Sequence, residues 1–222
     1  MGAGADRVTA FSDARLILQQ TAGEIALNGS LLRGAEGLSV SAVGGAGGVL
    51  EADQSLIWQL PGTNGSLNAN ALNFEGIASV LSRGESDRLR ASDNNTVIQV
   101  ELGPDIAVAD GIRFIGMENI EGGAGADTIN FDDNAVLSGG VSGGGGNDIF
   151  NNVGDTSVAG NIAGDDGNDT FNISGTLISG ILQGGAGDDT FNFNQTTVAA
   201  VDGGVGGLDQ INFISPDAGG QW

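Results

Sequence analysis

Five aspartates, Asp127, Asp148, Asp169, Asp189 and Asp209, recur at intervals of 21, 21, 20 and 20 residues, and whole columns of residues recur with them. Two positions after each aspartate stands a large apolar residue: Ile129, Phe150, Phe171, Phe191 and Ile211. One position further on is an asparagine: Asn130, Asn151, Asn172, Asn192 and Asn212. Other apolar columns keep the phase, among them Leu137, Val158, Ile178 and Val198, then Val141, Ile162, Leu182 and Val201. A unit this short cannot enclose a core of its own and must bury its apolar face on the next copy. Alternation of apolar and polar residues, as in Ile129, Asn130 and Phe131, is the period of a half-buried strand. The expected fold is all-β, a parallel β-solenoid with rungs of about 20 residues. Phe150, Phe171 and Phe191 should then form one buried column.

Glycine supports this reading. The chain holds 41 glycines in 222 residues, well above the usual share of about 7%. With only 3 prolines and no three-residue period, a collagen-like helix is excluded. Glycine is a poor helix former, so its abundance points to many turns between short strands. Residues 13–20 are the best helical candidate and fit a strand equally well.

The earlier half carries a fainter version of the pattern. Residues 72–94 align without a gap on 112–134, which sets Phe74 on Phe114 and Asp87 on Asp127, a shift of two units. The opening GAGADRV repeats the loop around Asp6. The whole chain, 1–222, reads as a single domain: degenerate rungs over 1–71, intermediate rungs over 72–121, regular rungs over 122–213 and a tail over 214–222.

Seven arginines face 28 acidic residues, a net charge of -21. Such a surface repels phosphate backbones and anionic membranes and attracts cations, so neither nucleic acid nor membrane insertion is expected. Cysteine and histidine are absent, which removes disulfides and the usual thiolate and imidazole ligands. No apolar run approaches a membrane span, and the first residues lack the pattern of a signal peptide. An export address would lie outside this chain. The acid pairs Asp132/Asp133, Asp165/Asp166 and Asp188/Asp189 resemble catalytic pairs only superficially, because neighbours on a strand point to opposite faces. No enzyme is expected.

Three segments, GGAGADTIN (122–130), GGGGNDIFN (143–151) and GGAGDDTFN (184–192), fit the pattern G-G-x-G-x-D-x-U-x, with U large and apolar. The copy at 164 has Asp165 for the second glycine, and the copy at 203 has one extra residue. This pattern resembles the nonapeptide of RTX (hemolysin-type) calcium-binding repeats. The resemblance implies a right-handed parallel β-roll with Ca2+ held between neighbouring loops. Asp127, Asp148, Asp169 and Asp189 would be its metal ligands, together with loop carbonyls. The chain departs from the family in having one nonapeptide per rung, so only one edge could bind ions. The stretch FIGMENIEGGAGADTI is similar to segments of large bacterial adhesins and secreted repeat proteins. That likeness implies a secreted or bacterial cell-surface location. The implied function is structural, a calcium-stiffened spacer or stalk of an adhesin-like protein. Its partners would be calcium, further copies end to end, and glycans or another cell surface. The alternative is a carbohydrate-binding module similar to the non-catalytic repeats of alginate epimerases.

Residue chemistry leaves two accounts of the aspartate column. Carboxylates about 5 Å apart on successive rungs repel, so each needs compensation. Each could accept N–H groups of its own glycine turn, or a hard dication could sit between rungs. The additional acids Asp165, Asp166 and Asp188 favour the dication. The asparagine column is expected to be an outward ladder of stacked amides.

Overall fold

The computed structural model describes residues 77–214 apart from positions 85, 176, 195 and 196, together with shorter stretches between residues 7 and 75. The loop copy around Asp6 and residues 215–222 of the tail lie outside the described residues. Every described regular element is a strand, and no helix occurs among them. Of the helical candidate 13–20, the described part from Arg15 on is a strand, Arg15–Thr21.

Two long sheets carry the fold. An eleven-stranded first sheet includes Arg88–Arg90, Asn119–Gly123, Val141–Gly145, Ile162–Asp166, Leu177–Ala186 and Thr197–Val205 as successive neighbours. A thirteen-stranded second sheet includes Val97–Val100, Thr128–Phe131, Ile149–Val153, Thr170–Ser174, Thr190–Asn194 and Gln210–Ile214. Within these two series every pairing is parallel. The chain passes from the first sheet through a glycine corner to the second and returns. On the return it forms a short third sheet of Gly103–Pro104, Ala135–Leu137 and Ser157–Val158. Long parallel sheets visited alternately by one chain are compatible with a β-solenoid.

The register follows the sequence columns. Ile129, Phe150, Phe171, Phe191 and Ile211 are successive partners, as are Val141, Ile162, Leu182 and Val201. The rings of Phe150, Phe171 and Phe191 are fully buried and stack with centroids 4.7 Å apart and planes within 10°. Burial of every second residue, as in Thr170–Ser174, places apolar side chains between the sheets and polar ones outside.

Upstream of residue 119 the register departs from the expected alignment. Ile57, Arg88 and Asn119 are successive partners in the first sheet, and hydrogen bonds between these turns span 31 residues. Asp87 precedes a first-sheet strand, whereas Asp127 precedes a second-sheet strand, so the two occupy different corners. Thr96 takes the place above Asp127. Phe74 lies in the first sheet and Phe114 in the second, opposite Val80. Between Ile57 and Arg88 the added length includes an antiparallel strand, Ser66–Ala69; between Arg88 and Asn119 it is an antiparallel hairpin, Ile106–Ala109 with Ile112–Ile115, inserted between Val97–Val100 and Ile77–Ser82. Its turn is Asp110-Gly111, both at positive φ (49° and 76°), the pair a two-residue hairpin turn demands.

Candidate functional site

Each GGxGxD corner joins a first-sheet strand to a second-sheet strand, and its aspartate folds back into the corner. The first glycine of the loop makes room for it. A Cβ on Gly122, Gly143, Gly164 or Gly184 would collide with the Oδ2 atom of Asp127, Asp148, Asp169 or Asp189 respectively. The same space receives the carbonyl oxygen of the next turn's first glycine, that of Gly143, Gly164, Gly184 or Gly203. Glycine is thus required here for space, while the fourth position requires it for conformation, with φ of 108°, 137° and 133° at Gly146, Gly167 and Gly187.

All four aspartates are at most 1% exposed. Their Oδ1 atoms accept main-chain N–H groups, but from the preceding turn rather than their own. Thr96 donates to Asp127 (2.6 Å), Asp127 to Asp148 (2.7 Å), Asp148 to Asp169 (2.7 Å) and Asp169 to Asp189 (2.8 Å). Asp189 donates to Asp209 at 3.1 Å, so the column continues through the loop with the extra residue. That residue is absorbed upstream, where Gly207 rather than Gly206 stacks on Gly187. Of the two accounts, the self-capped turn gives way to a ladder in which each carboxylate ties its turn to the one before.

The other oxygen is unsatisfied. Oδ2 of Asp127, Asp148, Asp169 and Asp189 is buried and has no hydrogen-bond partner. Burial lifts these carboxyls from the ordinary 3.8 to about 6 for Asp127 and Asp169 and about 7 for Asp148, and raises Asp189 as well. The accepted N–H bonds oppose the rise, and neighbouring carboxylates such as Asp127 and Asp169 beside Asp148 add to it.

A second ladder runs beside the first with opposite polarity. Asn147 Oδ1 accepts the N–H of Asn168, Asn168 that of Asp188, and Asp188 that of Leu208, at 2.7–2.9 Å. Sequence reasoning missed this ladder. Its signal was the asparagine or aspartate directly before Asp148, Asp169 and Asp189. On the outer face the expected amide ladder is present. Asn151 donates to Asn130, Asn172 to Asn151, Asn192 to Asn172 and Asn212 to Asn192, at 2.8–2.9 Å.

Asp165, Asp166 and Asp188 are exposed and stay out of the buried column. Asp165 keeps the positive φ of the glycine it replaces, 74°, and its carboxylate accepts the Ser142 hydroxyl. Among the described residues no three or more His, Cys, Asp or Glu side chains converge as a metal-binding group. Each corner offers an orphaned carboxylate oxygen and a main-chain carbonyl instead. These all-oxygen donors fit a hard cation in kind, since Ca2+ draws on carboxylates and carbonyls together. Compared with known proteins, the chain matches no family model, no curated protein and no solved structure.

Proposed function

We propose that this chain is a right-handed parallel β-solenoid, with turns of 20 or 21 residues from Asp127 onward, serving as a non-catalytic, calcium-stiffened spacer. It would belong to a large secreted or cell-surface protein of the adhesin kind and hold other domains apart. The observation that carries this reading is the column of orphaned Oδ2 atoms, one per turn at Asp127, Asp148, Asp169 and Asp189. An unsatisfied buried acceptor costs about 1–3 kcal/mol, and more when charged. A column of them above neutral pH therefore calls for a cation, and the resemblance of the loops to RTX nonapeptides indicates which one. Asp127, Asp148, Asp169 and Asp189 would be side-chain ligands, and the carbonyls of the first glycines would add oxygens.

Bound calcium would tie adjacent turns and offset part of the repulsion within a chain of net charge -21. Binding to the folded state alone stabilises it by about 2.7 kcal/mol at a hundredfold excess over Kd. The test is calorimetric titration of calcium into chelator-treated protein, alongside Asp148→Ala. Saturable binding that weakens in the variant supports the reading. Absence of binding leaves the corners as structural turns whose carboxyls carry protons.

A further inference from the structure

We propose that two copies of this chain join by the turn that ends at Ile214, each of the two sheets continuing across the junction as an antiparallel pair. The junction is separate from the aspartate column and does not depend on calcium. Among the described residues the first sheet ends on Thr197–Val205 and the second on Gln210–Ile214. These two strands belong to one turn, so the sheets end level there. The interior is laid open at that end. Ile211 follows Phe191 and Phe213 follows Phe193 in register. Phe191 and Phe193 are at most 5% exposed, whereas Ile211 is 49% and Phe213 83% exposed.

That geometry selects the occupant. The open face is the apolar interior between two sheets, which stack about 10 Å apart. A single extended peptide would pair with one sheet edge and leave the interior in contact with water. The occupant must bring two strand edges with apolar side chains between them, as the end of another such fold does. A second copy offers two ends, and they differ.

At the other end the two sheets are not level. Arg7–Phe11 pairs with Ser39–Val43 and is the last strand of the first sheet. Arg15–Thr21, which follows it, pairs with Gly48–Ala52 in the second sheet. Beyond Arg15–Thr21 that sheet carries two further strands, Glu24–Leu27 and Ser30–Leu32, each antiparallel to the one before. This overhang accounts for thirteen strands against eleven and projects about 10 Å. A head-to-tail stack would pair one sheet and hold the other apart, whereas two level ends meet without a gap. About a twofold axis perpendicular to the sheets, Thr197–Val205 and Gln210–Ile214 each pair with their own copy, and Ile211 and Phe213 still face the interior. Such an isologous contact closes at two copies, where a head-to-tail contact would grow into a filament. Asp202 and Asp209 are exposed on the joining turn and approach a partner of net charge -21, so added salt should favour the dimer.

The test is sedimentation equilibrium of the intact chain in chelator, at low salt and at about 0.15 M salt. A monomer–dimer equilibrium is expected, tighter in salt and with no larger species. The chain has no cysteine, so a spin label on Asp202→Cys or on Val97→Cys reports the orientation of the copies by pulsed resonance. A short distance between copies is expected for the Asp202 label. None is expected for the label at Val97, which is 62% exposed on a strand well inside the second sheet. Phe213→Asp is expected to weaken the dimer at least about tenfold. Val205→Glu leaves the interior column intact and should weaken the dimer too, should Phe213→Asp fail to fold. A chain that stays monomeric, grows beyond the dimer, loosens in salt or gives no short distance at Asp202 overturns the proposal. So does a dimer that both variants leave unchanged.

Discussion

Asp148 shows how one residue serves two demands. Its Oδ1 holds the turn above through the Asp127 N–H, while its Oδ2 is buried without a partner. A carboxyl raised to about 7 is protonated in the folded chain at pH values where the unfolded chain has already lost its proton. Folding therefore takes up protons between about pH 4 and 7. The stability that protonation provides is complete below pH 4 and is lost as pH rises through 6 to 7, the range set by Asp127, Asp169 and Asp148. In chelator, the melting temperature should thus fall between pH 5 and 7.5, and Asp148→Asn should flatten that fall. An acid-side loss of stability over the same range would contradict the burial of these groups. A second expectation concerns space. Gly143→Ala drives a methyl into Asp148 Oδ2 and the Gly164 carbonyl and should cost about 1–3 kcal/mol, the range for overpacking, measurable by denaturant unfolding. The glycine and aspartate of the motif were legible in the sequence as a pair. That the aspartate reaches the neighbouring turn rather than its own was not, because spacing along the chain does not reveal which turn supplies the donor.

At the scale of strands, the phenylalanine stack holds the second sheet to the core. Phe171 is fully buried between two rings at 4.7 Å, so Phe171→Ala should destabilise the fold by about 3–5 kcal/mol in denaturant titration. A loss below 1 kcal/mol would mean the column is not the core. This column was readable because side chains repeating every turn and alternating along a strand leave few choices of register. The earlier turns were not readable in the same way. There a hairpin turning at Asp110-Gly111 inserts two antiparallel strands, and hydrogen bonds between successive turns span 31 residues. The Asp-Gly pair between two apolar runs was the available signal. A regular 40-residue alignment passed over it, since short alternating strands resemble one another in any register. Asn152 escaped for a related reason. Its neighbours in the column are Phe131 and Ile173, and only the fold shows that an amide there meets corner carbonyls.

For the molecule as a whole, among the described residues the two sheets end on Thr197–Val205 and Gln210–Ile214, where Val205, Leu208 and Phe213 are 74–86% exposed. An open strand edge beside apolar side chains is a template for pairing. The chain should therefore associate as concentration rises in sedimentation, and Phe213→Asp should suppress that association. The same stacking makes stability a sum of contacts between neighbouring turns, so the proposed ion between turns would stabilise the whole stack. The most direct test of that claim is the melting temperature at pH 7.5 in chelator and in excess calcium, for the natural sequence and for Asp148→Ala. A calcium-dependent rise that shrinks in the variant is expected. Identical melting in chelator and in calcium would contradict it.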